Sequence, residues 1–117
     1  MAKREENTDS FSVPRREART PMAVGVHIAG HEKMPGMETT FTENVSSNGA
    51  RVLSTRRWHT GDCLEITTLS GAFHALARVT YCESERGDGF AIGIEFLKPV
   101  GAWVITNSTG RKEVPIQ

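Results

Sequence analysis

Between Phe90 and Phe96 every second residue is large and apolar: Phe90, Ile92, Ile94 and Phe96 fall on one side, and Ala91, Gly93 and Glu95 on the other. A side-chain period of two belongs to a strand, so this segment is confined to a sheet with one buried face. The same period returns along the chain. Met22, Val24, Val26 and Ile28 alternate with Ala23, Gly25, His27 and Ala29; Leu64, Ile66 and Thr68 follow Gly61 and Asp62; and Phe73, Ala75, Ala77, Val79 and Tyr81 follow a break at Ser70 and Gly71. From Met37 to Ser46 the alternation puts Met37, Thr39, Phe41 and Val45 on the core side. Glu38, Thr40, Thr42, Asn44 and Ser46 take the other, so Asn44 and Ser46 are expected to point away from the core together. Ser47, Asn48 and Gly49 then turn the chain into a short strand through Ala50, Val52 and Leu53, with Gly49 expected at a positive φ.

Six strands broken by turn signals, with no convincing helical period, predict an all-β barrel or sandwich. The 117 residues suffice for one core. Residues 1–14 are mostly polar and aperiodic and read as a flexible N-terminal tail, 15–99 as the barrel domain, and 100–117 as a C-terminal extension. Within that extension Gly101, Ala102, Trp103, Val104 and Ile105 fit a seventh strand, a short helix or a segment covering a barrel mouth equally well.

The 14 basic and 14 acidic side chains cancel, so no chain-wide field draws the protein to DNA, RNA or an anionic membrane, and a bound anion must be held by a local cluster. Neither a secretion signal nor a membrane-spanning stretch is apparent, and Cys63 and Cys82 form neither a zinc pair nor a C-x-x-C motif. A reducing cytoplasm is the expected location, and the N-x-S/T matches at Asn44 and Asn107 are expected to carry no sugar. His27, His31, His59 and His74 build no metal-binding spacing. No context activates Ser46, Cys63 or Cys82 as a nucleophile; the thiols are expected buried and inert, and no enzymatic activity is expected. Trp58 and Trp103 are expected to cover barrel ends, leaving Arg56-Arg57-Trp58 as an unclaimed basic and aromatic patch.

Two segments carry the functional signal. Arg15, Arg16 and Arg19 sit just before the first strand, and arginine's planar fork suits phosphates and guanine edges. Asn44-Val45-Ser46-Ser47-Asn48-Gly49 offers an amide and a hydroxyl beside a turn. Alone, the first reads rather as a solvated basic segment and the second as an ordinary hairpin turn. Together, Arg-x-x-x-Arg (Arg15, Arg19) before a first strand and Asn-x-Ser-x-x-Gly (Asn44, Ser46, Gly49) at the end of the second make the chain resemble PilZ domains over Arg15 to Pro99, including Ile92-Gly93-Ile94-Glu95-Phe96 as the family's last barrel strand.

The resemblance implies a six-stranded antiparallel barrel of the split-barrel type. Its N-terminal arginine loop would close over cyclic di-GMP, often taken up as an intercalated dimer. Arg15 and Arg19 would meet phosphates and guanine, with one guanidinium stacked on a base. Asn44, Ser46 and Gly49 would receive a guanine edge and sugar. Many members have aspartate where this chain has Asn44, so orientation of the guanine falls to an amide. Arg16 is not a motif position, yet it adjoins both arginines and is placed to share phosphate or set ligand stoichiometry. The implied protein is a receptor without cofactor, DNA binding or membrane insertion that relays ligand binding to an unidentified downstream protein; no oligomeric state is implied. Two alternatives remain: a PilZ-like protein-interaction module without nucleotide, and a small-barrel RNA binder using the three arginines and the Arg56-Arg57-Trp58 patch.

Overall fold

The computed structural model describes residues 18–105, so Arg15, Arg16 and the expected tail lie outside the described residues. It contains β1 (Thr20–Pro21), β2 (Gly25–Ala29), β3 (Glu38–Ser46), β4 (Gly49–Ser54), β5 (Cys63–Thr68), β6 (Phe73–Ser84) and β7 (Phe90–Gly101). Neighbours run β3-β2-β5-β6-β7-β4, and β4 pairs back onto β3, so six antiparallel strands close into a barrel with β1 outside against β3. Closure pairs the sheet edges that an open sheet would expose. The all-β six-stranded barrel expected from the sequence is therefore the fold.

Alternation accounts for most of the core. Val26 and Ile28 of β2, Ala50 and Val52 of β4, Leu64 and Ile66 of β5, Phe73, Ala75, Ala77 and Val79 of β6, and Ile92, Ile94 and Phe96 of β7 all point inward. Two strands depart from strict alternation, each at a bulge. In β3 the register shifts between Thr42 and Asn44, so Thr42 and Val45 are both fully buried while Met37 and Phe41, expected in the core, are exposed. A bulge inserts one extra residue and reverses which parity faces inward. In β6 a shift between Val79 and Tyr81 turns Tyr81 out of the core, where its ring lies over the backbone of Gly93; a Cβ at Gly93 would collide with that ring.

Thr42 is a polar residue in the core because it has work for its hydroxyl. Its Oγ1 accepts from the Val24 N–H at 2.9 Å and donates to the Met22 carbonyl at 2.7 Å, satisfying backbone groups in the gap between β1 and β2. That gap explains why the strand expected from Met22 begins at Gly25 and why Met22 is exposed.

A tryptophan plugs each end of the barrel. At one end, β7 runs to Gly101 and the chain then brings Trp103 inward, 4.8 Å from the Phe73 ring and 4.9 Å from the Phe96 ring. Residues 100–105 thus finish a strand and cover a barrel mouth. At the other end Trp58 is 2 % exposed, its Nε1–H donates to Ser54 Oγ at 3.1 Å, and the His31 ring packs against it in a T-shaped arrangement with centroids 4.7 Å apart. The neighbouring arginines are occupied too. Arg56 donates to the Met34 and Gly36 carbonyls, and the Arg57 guanidinium sits 5.1 Å from the Phe90 ring centroid. The Arg56-Arg57-Trp58 patch is in this way part of the barrel's own packing.

Candidate ligand-binding site

The site is built at the barrel end that Trp103 covers. There β3 emerges from its bulge, turns through Ser47 and Asn48, and returns as β4, with Ser46 paired to Gly49. Alongside, β1 pairs Thr20 with Val45 and Pro21 with Asn44. Proline, which has no N–H to give a ladder, is tolerated on such an edge strand. This pairing lays the end of the arginine segment against the Asn-x-Ser-x-x-Gly segment: Arg19 Nη1–H donates to Asn44 Oδ1 at 3.0 Å, in an exposed position. Arg19 and Asn44, two of the residues expected to share one guest, are 25 apart in sequence and in direct contact here.

Ser46 stands differently from the expectation. Its side chain does not project to solvent with Asn44; Asn44 is half-buried, while Ser46 is buried, with its Oγ–H donating to the Gly49 carbonyl at 3.4 Å. The bulge lies before Asn44 and leaves positions 44 and 46 on one parity, so strand geometry is not the cause; Ser46 is buried where the strand ends, at the turn against which Trp103 is wedged, with the Trp103 Nε1–H donating to the Ser46 carbonyl at 2.7 Å. Gly49 also departs from the reading made for it. It is not among the glycines at positive φ; a Cβ there would instead land on the Ile94 carbonyl of β7. Glycine is required at this point for close approach of two strands, not for a left-handed turn.

Beside Asn44 the bulge residue Glu43 is drawn into an ion-pair network that sequence reasoning missed. Arg51 Nε donates to Glu43 at 2.8 Å, Nη1 to Glu83 at 3.0 Å and to the Tyr81 hydroxyl at 3.1 Å, and Nη2 to Glu85 at 3.0 Å. These acceptors, Glu43 foremost, hold the Arg51 guanidinium above even its usual high range. Arg51 is therefore committed within the fold, and it pairs with the carboxylate of Glu43, the residue that precedes Asn44. The available signal was parity: Arg51 faces outward on β4, and the bulge puts Tyr81 and Glu83 outward on β6.

The remaining candidates are dispersed. Cys63 is exposed and Cys82 half-buried, not the two buried thiols expected, because Cys63 falls on the outward parity of a strand whose Leu64, Ile66 and Thr68 face inward. His27 bonds Thr39 at 2.8 Å, and His31 Nδ1 accepts from the Lys33 and Met34 amides. Among the described residues no group of His, Cys, Asp or Glu is arranged to hold a metal ion, and no helix is long and apolar enough to cross a membrane.

What the site can do follows from its groups. An exposed guanidinium beside an amide presents several donors and an acceptor at one place, a set suited to an anionic ligand that also carries a base edge.

No protein-family model matches the chain, and no curated protein matches it. Among solved structures it is similar to the Bacillus subtilis inhibitor of motility (MotI/DgrA), at 19% sequence identity and a TM-score of 0.56, over 70% of this chain and 42% of that one. The chain thus spans less than half the length of that protein, and at this identity the likeness is one of fold: the same barrel, built from a largely different sequence.

Proposed function

We propose that this chain is a cyclic di-GMP receptor of the PilZ kind, a binding module that does no chemistry of its own. The observation that carries the reading is the Arg19–Asn44 contact, which joins the two sequence segments whose combination suggested it. In this reading Arg15 and Arg19 bind phosphates and the O6 and N7 acceptors of guanine, with one guanidinium stacked on a base, and Arg16 supports them. Asn44 orients a guanine edge. Ser46 and Gly49 shape the floor through the turn they close. Ligand binding fixes the segment from Arg15 to Arg19 and so changes what the barrel offers a downstream protein. That a motility inhibitor shares the barrel supports a role in signal readout. The RNA-binding alternative loses its aromatic platform, because Trp58 is in the core.

A charge-assisted hydrogen bond contributes about 1.5–3 kcal/mol, and a desolvated guanidinium–base stack about 2 kcal/mol. A few of these, less the ordering cost of the segment, reach the roughly 8 kcal/mol of micromolar binding. Calorimetry with cyclic di-GMP tests the proposal. Arg15→Ala and Arg19→Ala are each expected to weaken binding at least roughly tenfold, with smaller losses for Asn44→Ala and Ser46→Ala. Cyclic di-AMP, whose bases lack the O6 acceptor, is expected to bind far more weakly. Undiminished affinity in both arginine variants would refute the site.

A further inference from the structure

Ser46 and Gly49 flank a turn that is held from outside the motif as well as from within it. The Phe96 N–H donates to the Asn48 carbonyl at 2.8 Å, and the Trp103 indole N–H donates to the Ser46 carbonyl at 2.7 Å. Trp103 is 8% exposed and wedged against Phe73 and Phe96, so its ring has little room to reorient without its neighbours. An indole N–H in that setting is costly to leave without an acceptor, and the carbonyl opposite it equally so. The end of β3 and the segment after β7 are in consequence fastened by one buried bond between residues 57 positions apart.

We propose that Trp103 is a positioning residue for the nucleotide site, and that it carries occupancy of that site to the segment following β7. Holding the Ser46 carbonyl fixes the direction of the main chain where β3 ends, and with it the placement of Asn44 relative to the turn. A guest that settles on Asn44 and the turn shifts that carbonyl, and the indole must follow or lose its acceptor. This rests on the cyclic di-GMP reading above. Trp58, at the opposite end with its N–H on a side-chain hydroxyl, has no such link and serves as the internal control.

Trp103→Phe keeps an aromatic ring at the barrel mouth and removes the N–H together with the five-membered ring that carries it, so the variant is read beside the indole resonance of the unaltered chain. Calorimetry with cyclic di-GMP, run where circular dichroism shows each protein folded, is expected to give roughly fivefold weaker binding for Trp103→Phe and unchanged binding for Trp58→Phe. In ¹⁵N spectra of the unaltered full chain, which has two indole resonances, the nucleotide is expected to move the Trp103 resonance and leave that of Trp58 in place; the Trp58→Phe variant assigns them. A purely structural Trp103 would lower the melting temperature of its variant while leaving affinity and the indole resonance untouched, and that result overturns the proposal. If the unaltered chain takes up no cyclic di-GMP, the receptor reading fails and this role with it. If it binds while Trp103→Phe binds equally well and the resonance stays still, only the positioning role is lost.

Discussion

At one end of the barrel Trp103 gives its indole N–H to a main-chain carbonyl of β3; at the other Trp58 gives its own to the Ser54 hydroxyl. The surroundings of the two bonds differ more than the plugs do. Ser54 Oγ also donates to Glu38 at 2.7 Å and accepts from the Arg56 amide at 3.0 Å, while Glu38 takes two further bonds from Thr55. That end is a polar network whose members satisfy one another. At the Trp103 end, among the described residues, Arg19 and Asn44 meet at the surface through one bond. A saturated network gains nothing from a guest, whereas an exposed guanidinium and amide can exchange one mutual bond for several to a ligand. The same fold device, an indole under a barrel mouth, thus sits in a self-satisfied polar network at one end and beside an exposed guanidinium–amide pair at the other.

The contrast can be broken most forcefully at the closed end. Trp58→Ala is expected to cost about 3–5 kcal/mol of stability in urea unfolding, while the folded fraction binds cyclic di-GMP as before; a selective loss of affinity would mean that the two ends are not independent. Gly49→Ala, at the recognition end, is expected to cost about 1–3 kcal/mol as the new methyl presses β4 away from β7, with affinity falling alongside because the turn moves. Arg57→Ala should cost about 0.5–1 kcal/mol through its lost contact with Phe90, without touching binding. Smallest of all, Arg19→Ala should alter stability by less than about 0.5 kcal/mol, since its bond is exposed. A larger drop there would make Arg19 a structural clamp and weaken its assignment to a ligand.

Much of this was legible in the residue order, and most of the apolar side chains wrongly placed in the core share one physical origin. Ile92 to Phe96, Phe73 to Val79 and Leu64 to Thr68 keep the inward faces expected of them, whereas Phe90, expected on the same face, is half-buried and lies outside the core, under the Arg57 guanidinium. Met37, Phe41 and Tyr81 were misplaced because a bulge reverses parity while leaving no mark in composition. Thr42 in the core was equally hidden, since its use depends on two backbone groups about twenty residues away. The pairing of the arginine segment with Asn44 could be anticipated only because two short motifs occur in a known order. Of the Arg51 network only the outward parity of Arg51 on β4 was legible; its acceptors lie 8, 30, 32 and 34 positions off, share no motif, and include Tyr81 and Glu83, which a bulge turns outward.

The contact between Gly49 and the Ile94 carbonyl changes how such sequences should be sorted. A barrel that had abandoned its nucleotide would still need that glycine, since any bulkier residue would prise its walls apart, so its presence certifies only an intact shell. Arg19 and Asn44 bear no comparable architectural duty. On the receptor reading proposed above, it is the survival of that surface pair that should separate working receptors from empty vessels.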